Sequence, residues 1–544
     1  MTDGFDAIVV GGGHSGLVGA FYLARAGWKV LVLEARSVVG GCCVTEEVVP
    51  GYRCSAVSNS SHSLDPRIIA DMELTSFGLR YTSPPLGSLT LFEDGQAFVP
   101  WPDRAQRRAQ VERFAHGPSD VEGFFGVLER IRRVAQRMRV SFHEAPPTLA
   151  EVAARFTTAE ETEDFNALMF GSVGDLLDQH LCSPHLKAFF AATAVATNLV
   201  GPYTPGSAYL LLQRPLYEES MAAFGVDDRN DLMMKNAAPL GGIGSVTQAM
   251  ARSAEARGAR IEVDAPVERI LTDGGRVVGV RLVDGREFFA PRVLSNADPK
   301  RTLTELVRPE DLPDEFVARA RRLKMDGTSA KVHIAMTGAP RFAAAEDEAQ
   351  NELFLPTNFR VASSMEVLQE AYNEAIMGRW SRRVTVTGLM DSAIDPEVVD
   401  TPGHHIMSLS VRGVPYHLAE GTWDDQRDEL GEAVLATVAT HMPNVPDILD
   451  AVHVYTPLDL EREFGLVEGS GSHGDIVPGR ILDARPLAGA ADYTTPLKGL
   501  YLCGVGTWPG NFMSGVTGHN ASNRMIADRE NGTTAYDEME PQVG

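Results

Sequence analysis

The segment that ends at Glu34 carries the pattern that most constrains how this chain folds. An apolar run at residues 5–10 stops at residues 11–16, which read GGGHSG, and an alanine- and leucine-rich stretch follows. A second apolar run at residues 29–33 leads directly into Glu34. A strand, a helix that begins among glycines and a second strand that ends at an acid are typical of a dinucleotide-binding βαβ unit. The sequence therefore predicts an α/β fold that begins with a Rossmann-like parallel sheet.

The glycines of this segment each meet a separate requirement of a dinucleotide site. Gly11 allows the tight turn, Gly13 lets the backbone approach a pyrophosphate, and Gly16 lets helix and strand pack closely. The phosphates then lie at the positive end of the helix dipole. Glu34 lies eighteen residues after Gly16, which is close to the spacing at which an acid accepts a hydrogen bond from a ribose hydroxyl.

A second match to the glycine pattern lies near the end of the chain. Residues 469–474 read GSGSHG, and Pro478 follows shortly after them. Because proline cannot donate a backbone hydrogen bond, no helix that offers its amides to phosphate can continue there. We interpret this segment as a loop, so the sequence predicts one dinucleotide site and no separate nicotinamide site.

Composition excludes several classes of function. The chain has 544 residues and a formal net charge of −24, which argues against nucleic acid as a partner because phosphates would be repelled. The weakly polar stretch at residues 188–200 is too short to span a bilayer. The first apolar run is the fingerprint strand itself rather than a signal peptide. These features predict a cytoplasmic protein and leave a peripheral membrane contact open.

The cysteines and histidines show no metal or disulfide pattern. Five cysteines are present without a CxxC pair, which favours a reducing compartment over a disulfide framework. His404, His405 and His473 lack the spacing of metal ligands relative to carboxylates, so no metal site is predicted.

The order of patterns along the chain predicts a cofactor domain that is interrupted twice. Glycines at residues 241–244 precede an alanine-rich helix, and strands at about residues 260–295 and 499–504 return to the cofactor pattern. A large insertion separates them from the N-terminal unit. The expected division is cofactor domain at residues 1–75, 236–300 and 491–530, substrate or lid insertion at 76–235, substrate domain at 301–490, and disordered tail at 531–544.

One predicted helix of the insertion, at residues 119–140, is rich in arginine. Ser119 and Glu122 have the spacing of a capping box, and the arginines are Arg130, Arg132, Arg133, Arg137 and Arg139. A basic helix can contact anionic lipid. The alternative is a solvated helix whose cations favour its C-terminal end, and the acidic net charge of the protein favours this alternative.

Four blocks, at residues 11–18, 241–245, 293–299 and 495–520, resemble the phytoene desaturase-like flavoproteins. Within that family they are similar to the desaturase-type β-carotene ketolases, and also to a mitochondrial group known as pyridine nucleotide-disulphide oxidoreductase domain proteins. The resemblance covers nearly the whole chain. It implies a glutathione-reductase-like FAD-binding domain of the amine oxidase and phytoene desaturase type, with an inserted mixed α+β substrate domain.

The resemblance also implies which residues bind FAD. Adenosine is expected at Glu34, Arg36 and Val267. The pyrophosphate is expected over Gly11, Gly13, His14, Ser15 and Gly16. The isoalloxazine is expected near Gly40 and Gly41 and against Met513, Gly515 and Val516, with Gly504 at the end of the returning strand. A helix that begins near Val516 would stabilise negative charge on the flavin with its free amides. His519 is a departure, because relatives commonly have arginine there.

Two residues are candidates for catalysis. Lys331 aligns with a strand that carries a flavin-facing lysine in amine oxidases, where it could hold a water or assist reoxidation by oxygen. The alternative is a solvent-exposed lysine at a strand edge. His62 lies where the ketolase branch places a histidine toward the pocket, and the alternative is a hydrogen-bonded structural histidine.

The sequence favours an FAD-dependent oxidoreductase that acts on a lipophilic, isoprenoid- or carotenoid-like substrate and returns electrons to oxygen or a quinone. Amine oxidation and a flavin-holding interaction protein with little turnover are the alternatives. An apolar substrate requires a dry tunnel, or the same side chains form ordinary core. The candidate tunnel residues are Phe189, Phe190, Val195, Leu199, Leu210 and Leu211. A homo-oligomer remains open.

Overall fold

A computed structural model describes residues 4–59, 63–99, 101, 103–196, 198–222, 238–326, 329–510 and 513–532. Within this part of the chain, no helix has the length and apolar character needed to cross a membrane. The predicted tail at residues 531–544 lies outside the described residues, except for the last two positions before residue 533. There the final helix continues to Asn531.

The strands form two main sheets and three smaller ones. They are β1 (Ala7–Val10), β2 (Val30–Leu33), β3 (Thr45–Val49), β4 (Tyr52–Ser55), β5 (Tyr81–Thr82), β6 (Ser88–Phe92), β7 (Ala97–Phe98), β8 (Ala238–Pro239), β9 (Arg260–Glu262), β10 (Val267–Asp273), β11 (Arg276–Leu282), β12 (Glu287–Phe289), β13 (Val293–Ser295), β14 (Ala330–Met336), β15 (Asn358–Ala362), β16 (Thr385–Met390), β17 (His405–Arg412), β18 (Leu449–Tyr455) and β19 (Leu500–Leu502).

The helices pack on both main sheets and fill the insertion between them. They are α1 (His14–Arg25), α2 (Pro66–Asp71), α3 (Arg104–Phe114), α4 (Pro118–Met138), α5 (Leu149–Ala153), α6 (Ala159–Phe170), α7 (Val173–Asp178), α8 (Pro184–Ala194), α9 (Gln213–Ala222), α10 (Gly244–Ala256), α11 (Pro299–Arg301), α12 (Asp314–Arg321), α13 (Glu348–Phe354), α14 (Met365–Ile376), α15 (Asp391–Ile394), α16 (Trp423–His441), α17 (Val445–Ile448), α18 (Pro457–Phe464) and α19 (Val516–Asn531).

The first main sheet is the predicted Rossmann-like sheet. Its strand order is β19-β13-β1-β2-β9, and every neighbouring pair runs parallel. All four residues of β1 and of β2 are buried, as expected for strands that helices cover on both faces. Three widely separated stretches of the chain therefore meet in one sheet, with β1 at its centre.

Helices α1 and α19 cross each other at very close range beside this sheet. A Cβ atom placed on Gly518 would lie 2.0 Å from the backbone oxygen of Ser15, so only glycine fits at the crossing. The hydroxyl groups of Ser15 and Thr517 lie 2.8 Å apart across it. This contact fixes the two helix N-termini side by side at one edge of the parallel sheet.

The second main sheet has seven strands in the order β18-β14-β17-β16-β15-β6-β7. One face packs against α16, whose Leu430, Val434 and Val438 join the alternate residues of β14 in a hydrophobic cluster. Strands β6 and β7 come from the segment expected to form the separate insertion, and β6 pairs in parallel with β15. The inserted segment thus contributes to the sheet as well as to the helices beside it.

The arginine-rich helix is α4, and three of its arginines pair with acids of α6. Arg130 contacts Asp164 at 2.5 Å, Arg133 pairs with the same carboxylate, and Arg137 lies 3.3 Å from Glu161. Ser119 is not the cap that the spacing predicts. The helix begins one residue earlier at Pro118, because proline fits the first helical position, where no amide hydrogen is needed.

Most of the candidate tunnel residues belong to the hydrophobic core. Phe190, Val195, Leu210 and Leu211 are buried in the largest cluster, and Phe189 packs against it while partly buried. Leu199 is half-buried. Their burial is what the alternative of an ordinary core expects, and the apolar tunnel stays a prediction.

Candidate functional site

A cavity of about 480 Å³ opens at the carboxyl ends of β1, β2 and β13, where open parallel sheets bind their ligands. Residues from widely separated segments line it. They are Gly11, Gly13, His14, Glu34, Ala35, Arg36, Gly40, Gly41, Cys42, Cys43, Ser58, Asn296, Ala297, Asp298, Arg301, Arg462, Glu463, Phe464, Gly465, Leu466, Gly471, His473, Val505 and Met513.

Glycines keep one wall of the cavity free of side chains. A Cβ atom on Gly13 would lie 2.5 Å from the Asn296 amide nitrogen, and one on Gly16 would lie 2.3 Å from the Gly11 oxygen. Helix α1 begins here with Gly13 as its N-cap, without a capping side chain and without an acid in its first turn. Its N-terminal amides therefore remain available to an anion, which the helix dipole also favours.

Glu34 is held rigidly at the end of β2. One carboxylate oxygen accepts from the Gly12 amide at 2.7 Å, and the other accepts from the Arg36 amide at 2.9 Å. Burial raises the pKa of Glu34, and the two backbone amides oppose that rise. Each oxygen retains a lone pair, so the carboxylate can accept hydrogen bonds from a ribose.

Arg36 and Phe464 form a platform at the same end of the cavity. The guanidinium of Arg36 lies 4.6 Å from the centre of the Phe464 ring and also pairs with Glu46. A flat guanidinium held between a ring and a carboxylate presents a planar surface with unused donors. Such a surface suits the adenine end of a dinucleotide.

Three buried polar atoms along the cavity have no hydrogen-bond partner among the residues that the structure describes. They are Nη1 of Arg36, Oδ2 of Asp298 and Nδ1 of His473. Burial raises the pKa of Asp298 to about 6 and lowers the pKa of His473 to about 4. Because buried polar groups are normally paired, these donors and acceptors indicate a polar ligand with groups of both kinds. A dinucleotide meets that requirement, so the residues present fit one.

The far end of the cavity approaches the N-terminus of α19. Met513 lines the cavity, and Gly515 caps the helix with a positive φ of 75° and no capping side chain. The Val516 amide contacts the nearby Ser514 hydroxyl at 3.2 Å. Two helix N-termini thus face the same region, and both favour negative charge there.

The structure brings most of the predicted cofactor residues to the cavity. Those that line it are Gly11, Gly13, His14, Glu34, Arg36, Gly40, Gly41 and Met513. Ser15 and Gly16 continue into α1, Gly504 precedes the lining residue Val505, and Gly515 and Val516 begin α19. Val267 instead lies on β10, paired with Leu282 and packed against a separate hydrophobic cluster.

Several lining residues carry no signal that sequence reasoning used. Asn296 and Asp298 lie within one of the resemblance blocks. The Asp298-Pro299 pair, which begins a short helix, is the sequence signal that could have pointed to them. Phe464 and His473 are more than 400 residues from the fingerprint. The second glycine match is a loop, as predicted, and its Gly471 and His473 nevertheless line the cavity of the first.

Lys331 is buried on an interior strand of the second main sheet. Strand β14 pairs with β17 on one side and β18 on the other, so the alternative of a solvent-exposed edge lysine is wrong. Its ammonium donates to the Ser410 hydroxyl at 2.9 Å. Burial lowers the pKa of Lys331 to about 7, and the nearby Arg412 acts in the same direction. His62, the other catalytic candidate, lies outside the described residues.

A buried polar network adjoins Lys331. Asp391 accepts from the Ser408 hydroxyl at 2.6 Å and from the Ser55 amide at 3.2 Å, while His333 contacts Cys54 and Ser408, each at 3.1 Å. Burial raises the pKa of Asp391 and lowers that of His333. The network fixes the β3–β4 hairpin against the sheet, close to Ser58 of the cavity wall.

Comparison with known proteins places this geometry in a family. A family model described as flavin containing amine oxidoreductase matches residues 14–525. Pyridine nucleotide-disulfide oxidoreductase domain-containing protein 2 of Rattus norvegicus is 31% identical, with 97% of this chain and 94% of the relative covered. A limonene dehydrogenase component of Castellaniella defragrans is 26% identical, with 96% and 94% covered.

A solved structure shares the fold. A putrescine oxidase mutant superposes with a TM-score of 0.64 at 15% identity, with 97% of this chain and 99% of that chain covered. The comparisons confirm the predicted fold class, the flavin cofactor and an oxidoreductase activity. They also confirm the similarity to the pyridine nucleotide-disulfide oxidoreductase domain proteins, whereas the ketolase branch stays a prediction.

Proposed function

The chain belongs to the flavin-containing amine oxidoreductase family, and from that premise we propose that it oxidises a C–H bond of a lipophilic, isoprenoid- or polyene-like substrate. The observation that carries the flavin-dependent part of the proposal is the cavity at the carboxyl edge of the parallel sheet, with its buried unpaired polar atoms and two helix N-termini. The name of one relative, the limonene dehydrogenase component, supports a hydrocarbon substrate.

When bound, FAD supplies a two-electron acceptor that takes a hydride at N5. The residues of this chain would hold it: Glu34 and Arg36 at the adenosine end, and the amides at the start of α1 along the pyrophosphate. The N-terminus of α19 favours negative charge in the region beyond Met513. Because such hydride removal needs no acid or base on the substrate, orientation and exclusion of water are the main tasks of the protein.

Anaerobic reduction of the bound flavin tests the proposal. Holoprotein is mixed with geranylgeraniol, β-carotene and limonene, and in parallel with putrescine and cyclohexylamine, and the visible flavin absorbance is followed. Free FAD with the same compounds is the control. We expect bleaching by at least one isoprenoid and none by the amines. Bleaching by amines alone would assign amine oxidation, and bleaching by neither class would contradict the proposal.

A further inference from the structure

One face of the seven-stranded sheet carries an unusual row of polar side chains. Lys331, Ser410, Thr387, Arg360 and Thr90 are direct cross-strand partners from β14 to β6. Direct partners share a face of the sheet, and the Lys331–Ser410 hydrogen bond confirms this at one end. We call these five residues the polar row. The opposite face carries the apolar cluster that packs on α16.

Arg412 lies beside the polar row, two residues beyond Ser410 on β17, and therefore points to the same face. Its guanidinium makes no hydrogen bond and no ion pair with any residue that the structure describes, and its Nε atom is buried without a partner. A guanidinium has five N–H donors and cannot lose its charge in a protein. Leaving it unpaired is costly unless a ligand satisfies it.

Arg360 repeats this situation on β15. Its guanidinium contacts the hydroxyl of Thr193 at the end of α8, and no carboxylate among the described residues pairs with it. Thr90, its neighbour in the polar row, is fully buried, and its hydroxyl has no hydrogen-bond partner within the same described ranges. Only β16 lies between β15 and β17, and its Thr385 and Thr387 pair with Arg412 and Arg360. Two strand spacings and two residues along a strand put the two arginine backbones roughly 12 Å apart.

Both arginines are half-buried, so a ligand can reach their guanidinium groups. Burial lowers the pKa of each to about 10. Arginines that stabilise a fold are normally paired, as Arg427 is with Asp459 in this same domain.

We propose that Arg412 and Arg360 bind an anionic head group of the substrate, a carboxylate or a phosphate, while its apolar part reaches the flavin. This inference rests on the proposed function, and it narrows the substrate to an amphiphilic anion. Both oxyanions match the planar fork of a guanidinium, and Thr387, which is half-buried, supplies a further hydroxyl donor in the polar row.

Paired ligands that differ only in the head group test the proposal. All-trans-retinoate is compared with all-trans-retinol, and geranylgeranyl phosphate with geranylgeraniol, by quenching of tryptophan and flavin fluorescence in the holoprotein. The variants are Arg412→Met, Arg412→Lys and Arg360→Gln. Arg383→Gln is the matched control, because Arg383 is an exposed arginine of the same domain that pairs with Glu93.

We expect one anion to bind at least about tenfold more tightly than its alcohol. We expect Arg412→Met to weaken the binding of that anion by about 10- to 100-fold. Arg412→Met should leave the alcohol unchanged, Arg412→Lys should recover part of the loss, and Arg383→Gln should change neither ligand. A preference for retinoate identifies a carboxylate, and a preference for the prenyl phosphate identifies a phosphate. Flavin content and visible spectrum verify that each variant is folded.

Two results would overturn the inference. One is that the anion and the alcohol bind equally tightly to the wild type, and the other is that Arg412→Met weakens the binding of both ligands equally. The proposed function can be contradicted independently of the anion site. If anions bind in an Arg412-dependent way and no isoprenoid reduces the flavin, the anion site stands and the reaction is wrong. If an isoprenoid reduces the flavin and its anionic counterpart binds no more tightly than the alcohol, or binds equally well to Arg412→Met, the reaction stands and the anion site falls.

Discussion

Replacing Lys331 by methionine is expected to stabilise the protein, and to do so more at pH 6 than at pH 9. Burial and the charge of Arg412 lower the pKa of Lys331 from 10.5 to about 7, so the unfolded chain binds this proton more tightly than the folded protein does. Between pH 7 and pH 10.5, Lys331 is protonated in the unfolded chain and neutral in the folded protein, so the stability of the protein rises with pH.

The size of the effect follows from the two pKa values. Because a tenfold change in proton affinity is worth about 1.36 kcal/mol, the buried lysine costs about 5 kcal/mol of stability at pH 6. At pH 9 the folded protein is already neutral at this site, and the cost falls to about 2 kcal/mol. The gain in unfolding free energy on substitution should therefore shrink by roughly 2–3 kcal/mol between pH 6 and pH 9.

Urea unfolding of the holoprotein at both pH values, followed by tryptophan fluorescence and flavin release, measures this difference. Lys324→Met is the matched control, because the Lys324 side chain is 68% exposed, and its substitution should have the same effect at both pH values. A gain for Lys331→Met that does not change with pH would refute the reasoning. It would show that Lys331 keeps an ordinary pKa and so is not dehydrated in the folded protein.

Three further predictions concern the cofactor. Gly16→Val should abolish flavin retention on gel filtration, because a Cβ atom there lies 2.3 Å from the Gly11 oxygen, whereas Gly126→Ala has open space and should retain flavin. Acid precipitation should release all yellow colour into the supernatant, and a yellow pellet would indicate a covalent bond. NADH and NADPH at micromolar concentration should not reduce the flavin, since the loop at residues 469–474 is followed by no helix; rapid reduction would require a nicotinamide site elsewhere.

The parts of the fold that could be predicted are those that local sequence determines. The βαβ unit, helix α16 with its Thr422 cap and strand β14 each follow from hydrophobic periodicity and capping chemistry within about twenty residues. The positions of Glu34 and the fingerprint glycines could also be predicted, because the spacing along one βαβ unit fixes their positions in space.

The remaining site depends on pairings between distant segments, which no local pattern encodes. Phe464, at the end of α18, and His473, in the loop that follows, line the cavity only through tertiary packing. Arg360 shares a sheet face with Lys331 only through three strand pairings. The sequence likewise left open whether Lys331 lies at a strand edge or inside a sheet. Strands β17 and β18, which follow Lys331 by more than 70 residues, pair with β14 on both sides and so place Lys331 inside the sheet.

The interleaved order of the parallel sheet also determines when this protein can acquire its flavin. Strands β1 and β19 carry residues 7–10 and 500–502 of the same sheet. At a ribosomal rate of roughly 5–20 residues per second, about 25–100 s pass between their emergence. Throughout that interval the fingerprint glycines exist without β19 or the N-terminus of α19. We therefore expect flavin to bind stably only after β19 has emerged, and we expect a chain halted before Leu500 to retain no flavin, however complete its N-terminal motif.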